Sequence, residues 1–284
     1  MSIDKFRFDG KRVLVVGGAT GMGAAAAAIV QELGAEVVVM DRAPVTLAGV
    51  TSVPLDLSQR SSIDAALATD AAAYHVVLSC AGVADGTPGI ERINFIGHRH
   101  LIERLIDGGR LPRGSAIGMI SSAAGLGWEA ELDQLSSYLD TADFDAAVAW
   151  IVTHPGTDTY RWSKQAMNAY VARQAYPLLQ QGIRINVILP GPTDTPLAQA
   201  NADVWLGFGS DYRAAVGVPA ATPEDQAYPL VYLCSDAASH ITGATLVVDA
   251  GLMSSGLTGS YPAATPAARM LLGKIGDLAL GATT

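Results

Sequence analysis

Tyr160 and Lys164 stand four residues apart in Tyr160-Arg161-Trp162-Ser163-Lys164, which opens a helical pattern running through Ala175. At that spacing the two side chains share one helix face. A phenol with its ordinary pKa of about 10 is a poor base at neutral pH. A neighbouring ammonium stabilises the phenolate and draws that pKa toward the working range, which suits the tyrosine to exchange a hydroxyl proton. One tyrosine and one lysine so placed are common by chance, so the weight falls on what accompanies them. Ser121 and Ser122 end an apolar run that begins near Ala116. A hydroxyl at the end of a strand can orient and polarise a carbonyl beside the tyrosine. Asn94, in Arg92-Ile93-Asn94-Phe95 where another helix pattern begins, could hold a water linked to Lys164 or could serve only in helix packing.

A second constellation lies near the N-terminus. The β-branched run Arg12–Val16 is followed by Gly17-Gly18-Ala19-Thr20-Gly21-Met22-Gly23 and then by an alanine-rich helix from about Met22 to Leu33. A dinucleotide pyrophosphate needs backbone at close range and free amides at a helix N-terminus, and Gly17, Gly21 and Gly23 fall where a side chain would interfere. Asp41 ends the next apolar run, Glu36–Met40. A carboxylate there accepts from both adenosine ribose hydroxyls and repels a 2′-phosphate, which favours NAD over NADP. Arg42 complicates this by offering a cation, but Thr20 in the loop is not basic. Asp56, beside Leu57 after the third run, could contact adenine or simply form a turn.

The elements that must hold these groups alternate. Apolar runs at Arg12–Val16, Glu36–Met40, Val50–Leu55, His75–Ser79, Ala116–Ser121, Arg184–Leu189 and Thr245–Asp249 are separated by helical patterns. The runs are continuously apolar, as for strands covered on both faces. They predict an α/β, doubly wound parallel sheet of Rossmann type, in which ligands sit at the carboxyl ends of the strands. With 284 residues, half of them hydrophobic, the chain reads as one dinucleotide-binding catalytic domain spanning 1–284. Two stretches look like additions: an acidic insertion over about 126–159, with helical spacing at Leu132, Leu135 and Leu139, and an extension over about 252–284 in which Ala267–Leu280 could form a mildly amphipathic helix.

The bulk numbers exclude more than they identify. A net charge of −9 argues against nucleic acid and anionic membranes as partners. Cys80 and Cys234 are far apart and read as buried thiols in a reducing compartment. No apolar run is long enough for a membrane span and the first residues lack the apolar stretch of a signal peptide, so a cytoplasmic protein is expected. His98 and His100 form an HxH without a ligand cluster around it, which reads as a solvated helix face rather than a metal site. His154 has no evident partner. No GxxxxGK phosphate loop occurs, which disfavours kinase or ATPase chemistry.

In order along the chain, Gly17-x-x-x-Gly21-x-Gly23, Asp41, Cys80-Ala81-Gly82, Ile93-Asn94, Ser121-Ser122, Tyr160-x-x-x-Lys164 and Pro190-Gly191 resemble the short-chain dehydrogenase/reductase family from about Lys11 to Gly251. The resemblance implies that Tyr160 is the acid/base, Lys164 its modulator and a ligand of the nicotinamide ribose, Ser122 the carbonyl-orienting group and Asn94 a water relay. Ser122 is chosen over Ser121 because it stands three before Gly125. The resemblance also implies that Gly17, Thr20, Gly21, Met22, Gly23, Asp41, Arg42, Asp56, Leu57, Cys80, Ala81, Gly82, Pro190 and Gly191 bind NAD with Tyr160 and Lys164. Thr193 then receives the carboxamide and Thr195 lies near the pyrophosphate; no metal is implied. The chain departs from the family pattern at Val16, where a threonine is usual, and at Cys80, where an asparagine is. The long stretch between Ser122 and Tyr160, with the opening VVGGATGMGAAAA, is similar to the bacterial 3α-hydroxysteroid dehydrogenase/carbonyl reductase subgroup, where such an insertion takes part in subunit contact. A homodimer or homotetramer is therefore expected, although the insertion could instead simply cap the mouth of the site.

The apolar residues Leu197, Val204, Trp205, Leu206, Phe208 and Tyr212 fall where a lid would lie and suggest a hydrophobic alcohol or ketone such as a steroid, terpenoid or aryl alcohol. They could equally pack on the insertion or another subunit. The reading is an NAD-dependent oxidoreductase acting on a secondary alcohol or ketone. The alternative is a catalytically silent NAD-binding sensor or assembly module, which a lost Tyr, Lys or Ser would have marked. Enoyl reduction is disfavoured because that chemistry in related folds uses a longer Tyr-to-Lys spacing.

Overall fold

The computed structural model describes residues 3–272. All seven expected strands form: β1 (Arg12–Val16), β2 (Glu36–Asp41), β3 (Thr51–Pro54), β4 (Val76–Ser79), β5 (Ala116–Ile120), β6 (Arg184–Pro190) and β7 (Thr245–Val248). They make one parallel sheet in the order β3-β2-β1-β4-β5-β6-β7. The helices are α1 (Gly21–Glu32), α2 (Arg60–Ala68), α3 (Gly97–Asp107), α4 (Leu132–Leu139), α5 (Phe144–Thr153), α6 (Tyr160–Gln180), α7 (Pro196–Gln199), α8 (Ala202–Trp205), α9 (Ser210–Val216), α10 (Pro223–Cys234), α11 (Leu252–Thr258) and α12 (Thr265–Leu271).

Alternation along each strand sends successive side chains to opposite faces. Val13 and Val15 join Val37, Val39 and Leu78 under α1 and α10, while Leu14 and Val16 join Val38, Met40 and Val77 under α2, α3 and α6. Burying each such valine or leucine contributes roughly 1.5–3 kcal/mol, and both faces are covered, so the runs needed no polar alternation. Strand order reverses between β1 and β4, each on the opposite side of the first crossover, and a crevice opens there at the carboxyl ends. The glycine loop leaves β1 and the segment Cys80-Ala81-Gly82 leaves β4 at this crevice.

The insertion folds as α4 and α5. Leu135 and Leu139 face the core with Tyr138, whereas Leu132 is exposed. His154 is not without a partner: its ring stacks on Trp150 with centroids 3.7 Å apart, and Trp150 stacks in turn on Trp162 of α6. The HxH is not a solvated face. His98 and His100 are both buried, because α3 is covered by the insertion on one side and by the wall of the crevice on the other. The catalytic-motif helix α6 runs five residues past Ala175, to Gln180, accommodating Pro177 near its exposed end. In the C-terminal extension, α12 covers Thr265–Leu271, the start of the expected Ala267–Leu280 helix; it ends at its C-cap, Leu272, and residues 273–280 lie outside the described residues. Ala264, Ala268 and Leu271 pack on Tyr212, Leu252 and Met253 as a small third core. No helix among the described residues is long and apolar enough to cross a membrane.

Candidate active site

The glycine loop works by close approach. Gly17 has φ of +83°, and a Cβ there would lie 2.5 Å from the Ala81 backbone, so the loop rests directly on the β4 exit. A Cβ on Gly23 would stand 2.0 Å from the Gly17 carbonyl oxygen, which only a glycine permits as α1 starts under its own loop. Thr20 is the N-cap residue but its hydroxyl makes no capping bond, leaving the first-turn amides of α1 to face the crevice without a side-chain partner. Such an end, uncapped and positive, is chemically suited to a pyrophosphate.

A groove of about 280 Å³ runs along this edge, lined by Gly17, Thr20, Gly21, Met22 and Gly23, by Asp41, Arg42, Asp56 and Leu57, and by Cys80, Ala81 and Gly82. Asp41 stands at the end of β2 and accepts from the amides of Ala19 at 2.9 Å and Ala43 at 2.8 Å, so its carboxylate is fixed before any ligand arrives. Asp56 lines the groove but also forms the turn that sequence left open: Ser58 donates to it through both amide and hydroxyl, and these bonds hold the carboxyl below its ordinary pKa. Among residues not anticipated for this groove are Ala43, Val83, Ile93 and Leu197. They carry no polar chemistry that would have marked them in the sequence.

A second cavity of about 300 Å³ adjoins the first and shares Met22, Cys80 and Gly82 with it. Here Ser122, Tyr160 and Lys164 come together with Pro190, Gly191, Thr193 and Thr195. Tyr160 is set at the first turn of α6, where Thr159 caps Trp162 and the carboxylate of Asp85 accepts the Tyr160 amide at 2.6 Å. Asp85, on the exposed loop after β4, has no sequence pattern to announce it. The Lys164 ammonium lies 5.4 Å from the phenol ring centroid and donates to the Ile120 carbonyl at 3.0 Å. Ser121 spends its hydroxyl on the Lys164 carbonyl, while Ser122 accepts from Ala124 and keeps its proton to donate toward the cavity. Thr193 donates to the Gly191 carbonyl and Thr195 caps α7. Asn94 is wholly buried in a single π-helical turn, Arg92–Ile96, accepting from the Val83 amide and donating to its carbonyl.

The electrostatics differ from expectation in one respect. Lys164 does not by itself draw the phenol down: burial pushes Tyr160 up to about 12, with the Asp85 charge adding to the rise and the Ser122 hydroxyl opposing it. Burial also brings Lys164 down to about 8. Loss of solvent is the largest cause for both groups. Cys80 is not a core thiol like Cys234; it is half-buried and lines both cavities, and burial raises its pKa.

The rest of the second cavity is apolar. Leu197 and Ala198 of α7, Val204 and Trp205 of α8, and Phe208 form one side, and Leu271 of α12 closes it. Trp205 packs on Tyr160 with ring centroids 5.2 Å apart. Tyr212 turns away, donating to the Ala250 carbonyl and packing on Tyr261. Lys164 is the one cation among the described lining residues.

Residues 144–253 match a family model described as Enoyl-(Acyl carrier protein) reductase. Cis-4-hydroxycyclohexanecarboxylate dehydrogenase of Sinomonas cyclohexanicum is 30% identical over 85% of this chain and 96% of its own length. Coniferyl-alcohol dehydrogenase of Pseudomonas sp. (strain HR199) is 27% identical over 86% of this chain and 97% of its own. The solved 3-alpha-hydroxysteroid dehydrogenase from Pseudomonas sp. B-0831, complexed with NADH, superposes with a TM-score of 0.69 at 24% identity, covering 88% of this chain and 99% of that one. A parallel sheet with its crevice at the β1/β4 reversal and a tyrosine-lysine pair beside it defines an oxidoreductase fold of the dinucleotide-binding class. The chain belongs to the short-chain dehydrogenase/reductase family.

Proposed function

We propose that the protein is an NAD-dependent dehydrogenase/reductase of neutral, apolar secondary alcohols and ketones, with residues 1–284 acting as one catalytic unit. The observation that carries this reading is the meeting of Ser122, Tyr160 and Lys164 in the second cavity, which shares Met22, Cys80 and Gly82 with the groove. The uncapped start of α1 fits a pyrophosphate, and the fixed Asp41 carboxylate fits a ribose diol. NAD, when bound, supplies the hydride acceptor or donor.

The chain's own residues do the rest. Ser122 donates to the substrate oxygen and orients it toward Tyr160. Tyr160 gives a proton to that oxygen in reduction and takes one from it in oxidation. Lys164, held by the Ile120 carbonyl, keeps positive charge beside the phenol ring, and it would bond the nicotinamide ribose of a bound cofactor. Asn94 fixes the Val83 backbone, donates its second amide hydrogen toward Ser163, and leaves one Oδ1 lone pair to accept from a water beside Lys164. Trp205, Phe208 and Leu271 exclude water from the reacting centre. Their apolar character favours steroid, terpenoid or aryl alcohols over charged substrates, because a carboxylate or phosphate lodged against this apolar wall would lose solvation without gaining a partner there. Tyr228 and Tyr232 on α10 and Leu246 on the edge strand β7 expose apolar surface that suits a homodimer or homotetramer. A cytoplasmic setting suits the two free thiols.

The pH dependence follows from the phenol. A tyrosine raised to about 12 is protonated through neutral pH, so it is ready to donate and must be deprotonated to accept. Alcohol oxidation should therefore rise with pH across roughly pH 6 to 10, by up to about tenfold per unit. Ketone reduction should stay level until Lys164 loses its proton above about 8. Initial rates in both directions check this; oxidation that is flat with pH contradicts the assignment of Tyr160.

Asp41→Asn removes the negative charge while keeping an acceptor for the Ala19 amide. The preference for NAD over NADP should fall by about tenfold or more, since repulsion of the 2′-phosphate is lost. The ratio of kcat/KM with the two cofactors reads this directly, and an unchanged ratio places selectivity elsewhere.

A further inference from the structure

We infer that His98 is a positioning residue for the dinucleotide groove, holding the Ala81 wall against the glycine loop through a buried hydrogen bond to the Ala81 carbonyl. The inference rests on the dinucleotide reading above. His98 stands one helical turn beyond Asn94, and the two side chains reach the same segment: Asn94 bonds both backbone groups of Val83, and His98 Nε2 lies 3.0 Å from the Ala81 oxygen. Gly97 between them presses the helix start onto the other wall, since a Cβ there would sit 2.4 Å from the Leu57 carbonyl. Ala81 in turn is the backbone on which Gly17 rests. A shift of the Ala81 carbonyl is thus transmitted to the loop that faces the pyrophosphate.

The chemistry of the bond is fixed. A carbonyl only accepts, so Nε2 carries the proton and Nδ1 is bare. Nδ1 is buried with no hydrogen-bond partner. Protonation would add a second N–H with nothing to receive it, and burial, with the charge of Lys164 adding to it, holds the imidazole down to about 4. His98 is therefore a neutral donor throughout the physiological range. An apolar side chain of similar size would fill the space without an orphaned nitrogen, so what the imidazole adds is the donor.

The test compares NADH affinity, by fluorescence titration of the full chain, for the natural protein, His98→Leu and His98→Gln. Leucine fills the space and cannot donate; glutamine places an amide N–H near the Nε2 position. We expect His98→Leu to weaken NADH binding by about tenfold, as for loss of a donor to a buried carbonyl. Its KM for NAD should rise in proportion with kcat at saturating NAD unchanged, and His98→Gln should recover affinity to within about threefold of the natural protein. If His98→Leu does not fold, His98→Asn, whose shorter amide stops short of Ala81, replaces it with the same expectation. A folded His98→Leu that binds NADH normally, or a folded His98→Gln as weak as the non-donor variant, overturns the inference. A natural protein that binds neither NADH nor NADPH overturns the dinucleotide reading itself, and this inference with it.

Discussion

Tyr160→Phe should lower kcat by about 10³-fold in both directions while leaving NADH affinity within about twofold, because general acid–base transfer by a positioned group contributes on the order of 10²–10⁴. The ring keeps its packing on Trp205 and its place 5.4 Å from the Lys164 ammonium. The Tyr160 amide keeps its bond to Asp85, and Thr159 still caps α6. Only the hydroxyl is lost, and that hydroxyl is directed to Ser122 and the cavity rather than to any structural partner. The melting temperature should stay within a few degrees, so an activity loss cannot be assigned to unfolding. A folded variant with natural turnover contradicts the role of Tyr160.

Gly23→Ala should be nearly as damaging, by a different route. The new methyl would stand 2.0 Å from the Gly17 carbonyl oxygen and 3.0 Å from the Cys80 side chain. Neither the carbonyl nor the helix start can yield without moving the loop away from Ala81, and the amides at the start of α1 move with it. NADH affinity should fall by about 100-fold or more, with stability reduced by roughly 1–3 kcal/mol from overpacking. Titration and thermal melting separate the two effects. Natural affinity in a folded Gly23→Ala protein would mean that the loop does not hold the dinucleotide. The comparison with Tyr160→Phe is informative: one variant should bind without turning over, the other should fail to bind.

Much of this architecture was legible in the sequence because a parallel sheet writes itself in uninterrupted apolar runs. All seven strands fall within a residue or two of the expected spans, their ends differing where a carbonyl or turn takes over, as at Ser121. The candidate site residues were legible for a related reason: glycines at points of close approach, a carboxylate at a strand end and a helical tyrosine-lysine pair are signals carried by residue type. What escaped were contacts made across the fold. His98 and His100 read as solvated because nothing local shows that the insertion and the crevice wall close over α3. His154 read as partnerless because its stacking on Trp150 depends on α5 forming. The rise of the tyrosine was not legible either, since spacing places Lys164 near the ring but says nothing of the solvent that burial removes. Leu271 became a wall of the cavity only through the packing of α12 on Tyr212 and Leu252.

The central claim is hydride exchange between NAD and a neutral apolar secondary alcohol beside Tyr160 in the second cavity. Its most direct measurement is nicotinamide absorbance during incubation of the natural protein with 3α-hydroxysteroid, terpene and aryl alcohols, each with NAD and with NADP. Reduction of NAD by at least one of these alcohols, with NADP a poor substitute, is the predicted result. A folded protein that binds NADH yet oxidises none of them, or that turns over only with NADP, contradicts it.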